Sequence, residues 1–95
     1  MNIQFGYNLF NMNIERQAFS LTDVQIGRAI RQCRRTSQLT QQGCIAKMRE
    51  IDGSIGINQS RLSKIERGQL EARWRELRAI AIATETDINV FIEAS

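Results

Sequence analysis

Between Asn58 and Gly68 the sequence reads NQSRLSKIERG. Gln59, Ser60, Arg61, Ser63 and Lys64 carry hydrogen-bonding groups, whereas Leu62 and Ile65 are aliphatic. Helical spacing sets Leu62 and Ile65 on one side and leaves the polar groups on the other. A Gln carboxamide matches adenine bidentately, Arg or Lys matches guanine, and a Ser hydroxyl bonds to either. A short helix fits the major groove of a duplex, where each base pair presents a distinct donor and acceptor pattern. The chemistry available here is recognition of base edges. Bond-making chemistry has little support, because the chain has no His, no metal-ligand spacing, no phosphate loop and no recognisable nucleophile and base. No enzymatic activity, metal or cofactor is therefore expected.

Charge points the same way. Residues 21–78 hold twelve Lys and Arg against six Asp and Glu, a net +6, while residues 1–20 sum to zero and 79–95 to −3. A basic excess confined to the middle of the chain is the footprint of a phosphate-binding face. Cys33 and Cys44 stand at apolar helix positions and read as small buried hydrophobes in a reducing cytosol. No apolar run approaches the ~20 residues of a membrane span. Nor does the N-terminus resemble a secretory signal. A cytoplasmic protein without membrane contact is expected.

The elements that must position the recognition helix follow from the apolar period. Thr22 reads as the cap of a first helix, with Gln25 closing a capping box and Leu21 and Ile26 forming a staple. Ile26, Ile30 and Cys33 make its stripe, and it ends near Ser37–Gln38. Thr40 caps a second helix bearing Cys44, Ile45, Met48 and Ile51, with Gly43 inside it. Gly53 and Gly56 mark a loop, and Asn58 caps the third helix, Gln59–Arg67, which Gly68 ends in the left-handed conformation. A fourth helix from about Arg73 to Thr84 sets Trp74, Leu77, Ile80 and Ala81 on one face, where Trp74 is expected to pack in the core. Asp87 caps a short last helix with Ile88, Phe91 and Ile92. Ahead of all this, Ile3, Phe5, Tyr7 and Leu9 alternate with polar residues at period 2, a strand signal whose phase flips at Leu9–Phe10. Such a strand needs a pairing partner, which a second copy would supply. The alternative is a mobile arm or a loose cover on the core.

The stretches IGRAIRQCRRTSQLTQQ (Ile26–Gln42) and INQSRLSKIERG (Ile57–Gly68) resemble the lambda-repressor-like, or XRE-type, helix-turn-helix family over roughly residues 24–92. That family includes phage repressors, Cro proteins, plasmid regulators and antitoxins. The resemblance implies that Gln59 and Ser60 are the main base-reading residues, and that Arg61 and Lys64 read bases or bind phosphate. It implies that Gln41 bonds a phosphate and braces the recognition helix. Thr40 caps and offers a further phosphate contact, while Arg67 and Gln69 are phosphate candidates just beyond the helix. Arg34 and Glu66 match a family ion pair that bridges the first and third helices, a structural role. Three departures stand out. The segment Arg49–Ile55 lengthens the connection before the third helix, and Ala72 stands where Pro is common. Aligned without a gap, Ile45 falls where the family has a small residue, and a one-residue shift puts Ala46 there instead.

The expectation is an all-α, five-helix lambda-repressor-like domain over residues 21–95, preceded by a β-strand-like arm within an N-terminal extension, residues 1–20. The expected function is sequence-specific binding of double-stranded DNA by a transcriptional regulator, acting as a repressor and homodimer on a pseudo-palindromic operator. Ile88, Phe91 and Ile92, with Phe5 and Tyr7, are the candidate dimer interface, although the last helix could instead close the protein's own core. The alternative function is an antitoxin-type interaction protein that neutralises a toxin or meets an antirepressor through its N-terminal arm.

Overall fold

The computed structural model describes residues 21–94, in which the apolar positions of each helix meet in one core. The helices are α1 (Leu21–Thr36), α2 (Gln41–Ile51), α3 (Gln59–Glu66), α4 (Trp74–Ala83) and α5 (Asn89–Ala94). Among the described residues there is no strand. The expected N-terminal strand, with Phe5 and Tyr7, and the extension 1–20 lie outside the described residues. Ile30, Cys44, Met48, Leu62, Ile65, Ile80 and Phe91 are each at most 1% exposed and form the centre of the core. Around it α1 packs on α3 and α5, and α2 packs on α3 and α4. Among the described residues no helix is long and apolar enough to cross a membrane.

Local chemistry sets most helix ends. Thr40 Oγ1 accepts from the Gly43 amide at 2.9 Å, and Asn58 Oδ1 accepts from the Arg61 amide at 2.8 Å, so α2 and α3 begin where the cap residues stand. Thr22 differs from expectation. It lies inside α1, which already includes Leu21, and Leu21 is exposed and packs as no staple. Three helices finish in the same Schellman turn, with paired bonds from the residue in the left-handed region and the next one. At α3 the left-handed residue is Gly68, with φ 78°. At α1 and α4 it is Gln38 (φ 60°) and Glu85 (φ 55°), non-glycine residues held by Leu39 N to Arg34 O at 3.1 Å and Thr86 N to Ala81 O at 2.8 Å.

The connection before α3 is long but anchored. Ile55 and Ile57 are buried, and the Arg49 guanidinium donates to the Ile57 carbonyl at 3.0 Å. Asp52 accepts from Ser54 and takes a two-pronged ion pair from Arg75 of α4, at 2.5 and 2.9 Å. The Arg75 guanidinium holds the Asp52 carboxyl down at about 2, below the usual carboxylate range. A carboxyl depressed on folding stabilises the fold fully above its unfolded value of about 4 and loses that contribution as pH falls towards its folded value. Urea midpoints measured between pH 5 and pH 2 should therefore fall less steeply for Asp52→Asn than for wild type. Parallel curves would remove Asp52 as a source of acid sensitivity.

Two apolar residues sit differently from the helical-wheel expectation. Trp74 is 61% exposed, because as the first residue of α4 it precedes the turn that meets the core. Phe91, expected at a dimer interface, is fully buried in the protein's own core, and Ile88 packs partly against that core. The short α5 therefore spends its largest side chain on closing the core beside α1, and of the expected interface residues that the structure describes, Ile88, Phe91 and Ile92, only Ile92 is exposed, at 49%.

Candidate nucleic-acid interface

The outward side of α3 carries Gln59, Ser60 and Lys64, all exposed, while Leu62, Ile65 and Glu66 are buried beneath. This division follows from the 3.6-residue period acting on a helix of eight residues with two aliphatic anchors. Arg61, expected among the base readers, points elsewhere. Its guanidinium forms a two-pronged pair with Glu76 of α4, at 2.5 and 2.9 Å, and donates to the Glu71 carbonyl at 3.2 Å. Glu76 is 1% exposed and also accepts from the Arg73 amide at 2.8 Å, which closes the N-terminus of α4. Burial pushes the Glu76 carboxyl up, but the bonds and charge of Arg61 and the Arg73 amide outweigh it and hold it below its usual range. Arg61 thus ties α3 to α4 and keeps a buried carboxylate paired.

Gln41, Gln42 and Gln59 come together at the junction of α2 and α3. Gln42 Nε2 donates to Gln59 Oε1 at 3.0 Å, Gln59 Nε2 donates to Gln41 Oε1 at 3.4 Å, and Gln41 Nε2 donates to Glu66 Oε1 at 3.2 Å. Glu66 in turn takes Arg34 Nε at 2.7 Å and Nη2 at 3.0 Å, and Arg34 Nη1 donates to the Leu39 carbonyl at 2.8 Å. The Glu66 bond raises the Arg34 pKa further, against the effect of burial. One ion pair therefore links α1, the α1–α2 turn and α3.

Cations border this junction. Arg31, Arg34, Gln41, Ser63, Glu66 and Arg67 line a depression of about 160 Å³ beside the N-terminus of α2. Arg67 is exposed and donates to Ser63 Oγ and to Gln69 Oε1, both neutral. Arg31 also lines a second, more open depression on α1 with Arg28, Gln32, Arg35 and Thr36. Arg28, Arg31 and Arg35 are exposed. Thr40 is exposed, with its hydroxyl oxygen occupied by the cap bond, and Gln69 is half-buried beside Arg67.

Reading the sequence missed three of these residues. Gln42 is the second Gln of LTQQ, and its adjacency to Gln41 was the available signal. Arg31 shares one side of α1 with Arg28 and Arg35 through spacings of three and four. Glu76 stands three residues after Arg73, the spacing at which a Glu side chain reaches back to the N-cap amide, as it does here. Ile45 is buried and Ala46 exposed, so α2 turns Ile45 and not Ala46 towards the core. Both cysteines are free thiols, and burial pushes Cys44 up to about 11, which keeps it protonated. No protein-family model matches this chain, and a search of curated proteins returned no match.

Proposed function

We propose that this chain is a helix-turn-helix protein of the lambda-repressor-like kind that binds duplex DNA by laying the outward face of α3 in the major groove. The observation that carries the reading is the junction of α2 and α3. An eight-residue helix buries its aliphatic side and offers Gln59, Ser60 and Lys64, beside Gln41 at the start of α2 and a border of Arg31 and Arg67. Base-edge donors and acceptors stand in the middle and cations stand at the side, the division of labour between base readout and phosphate positioning. Gln59, Ser60 and Lys64 read bases, whereas Gln41, Arg31, Arg67 and Gln69 hold phosphates. Arg61 acts as a brace to α4. The chain acts in the cytoplasm as a transcriptional repressor. It is a homodimer on a pseudo-palindromic site, covering apolar residues such as Ile92, with two copies of α3 about 34 Å apart.

Selection of bound duplexes from a random pool tests this directly. The expected result is a palindrome whose half-sites lie about one helical turn apart. A pool that stays unenriched at low salt would sink the reading. On the selected duplex, Arg31→Ala and Arg67→Ala should each weaken binding to every sequence alike and lower the salt slope by about 1. An effect confined to one base position would instead make that arginine a base reader.

A further inference from the structure

Gln42 is exposed, and its side chain ends on a residue of the reading face. The three carboxamides form a chain with one direction, Gln42 to Gln59 to Gln41 to Glu66, each Nε2 donating to the next acceptor. That direction has a physical origin. A carboxylate paired with an arginine can only accept. Glu66 therefore draws the Nε2 end of Gln41 inward, at 3.2 Å, which turns Gln41 Oε1 outward. Gln41 Oε1 can only accept, so it draws the Nε2 end of Gln59, and Gln59 Oε1 is left to face Gln42 Nε2, at 3.0 Å. Each end of the Gln59 amide keeps a second hydrogen-bonding site, one N–H and one oxygen lone pair.

We infer that Gln42 is a specificity-determining positioning residue. Together with the buried Arg34–Glu66 pair it decides which end of the Gln59 carboxamide faces which side of the groove, and so which base Gln59 accepts. A free carboxamide can present its donor and acceptor in either order. One held at both ends presents a single order, and the reversed pattern leaves a donor facing a donor. This inference rests on the DNA-binding reading of α3 and assigns a role to a residue that makes no base contact itself.

The test uses the full chain, the duplex selected from the random pool and the single-base variants of that duplex. Gln59→Ala first locates the base position that Gln59 reads. Gln42→Met should then lower discrimination at that position by about three- to tenfold, the worth of one hydrogen bond. Affinity for random duplex, the salt slope and the thermal midpoint should stay at wild-type values, because the side chain is exposed. Gln42→Glu offers only an acceptor, so Gln59 then lies between two acceptors, the new carboxylate and Gln41 Oε1, and neither order of its amide satisfies both; discrimination at that position should fall at least as far as in Gln42→Met. In the free protein, the Gln59 side-chain amide resonances should shift in Gln42→Met. Wild-type discrimination in Gln42→Met or in Gln42→Glu, or a loss spread evenly over all positions, each overturns the inference while the DNA-binding reading stands. A wild-type chain that enriches no duplex removes that reading and takes the inference with it, whatever the amide resonances do.

Discussion

Gly27→Ala is expected to cost at least about 3 kcal/mol of stability, the upper end for an overpacked core site. Gly27 is buried on α1 where that helix runs against the end of α3. A Cβ there would stand 2.3 Å from the Ile65 carbonyl oxygen and 2.7 Å from that of Glu66. Both atoms are backbone, so no rotamer change relieves the contact. Nor can the backbone retreat cheaply. The Ile65 carbonyl accepts from the Gly68 amide at 3.0 Å in the Schellman turn, the Ile65 side chain is 1% exposed, and Glu66 is held by Arg34. The two helices must separate, which opens the core between them. Urea denaturation with circular dichroism measures the loss. A midpoint equal to wild type would mean that α1 and α3 part without cost and that their close approach does not position α3. Where the variant still folds in the cold, the displaced α3 should bind the selected duplex more weakly than wild type.

Arg34→Met should cost roughly 3–5 kcal/mol, the penalty for leaving a buried carboxylate without its cation. The Arg34 and Glu66 side chains are 10% and 3% exposed, so water replaces little of what is lost. The Leu39 carbonyl also loses its donor. The double variant Arg34→Met with Glu66→Leu should regain most of this stability, since apolar groups of similar volume replace a buried pair at little net cost. A double-mutant cycle by urea denaturation reads the coupling. A single variant within about 1 kcal/mol of wild type would place the pair with weak surface bridges. The double variant also separates stability from readout. It should fold, yet Gln41 loses the acceptor that orients it, so discrimination at the base read by Gln59 should fall in a protein of restored stability.

Much of this arrangement was legible before the fold was known. Thr40, Asn58 and Gly68 announced the ends of α2 and α3, and each acts where it stands. Leu62 and Ile65 announced which side of α3 is inward, and both are buried. The ends of α1 and α4 were less distinct, since Gln38 and Glu85 adopt left-handed turns with no glycine to mark them. Tertiary packing holds them there: Leu39, after Gln38, packs against the core, and Ser37 Oγ donates to the Thr84 carbonyl at 3.0 Å, joining the two turns. Trp74 followed the helical period but lies where α4 has not yet reached the core, and period alone carries no information about where contact begins.

The sequence by itself determined the helical class of residues 21–94, the caps of α2 and α3, and the two-sided character of α3. These rest on interactions within about one helical turn, between groups whose separation the backbone sets. The tertiary structure alone decided which polar residues of α3 face outward. Arg61 meets Glu76 fifteen residues away and turns aside. Phe91 meets the core beside α1 and leaves the surface. Gln42, Gln59, Gln41 and Glu66 join across as many as twenty-five residues. Side-chain direction at such positions depends on partners that only folding brings within hydrogen-bond distance, and no local pattern encodes them.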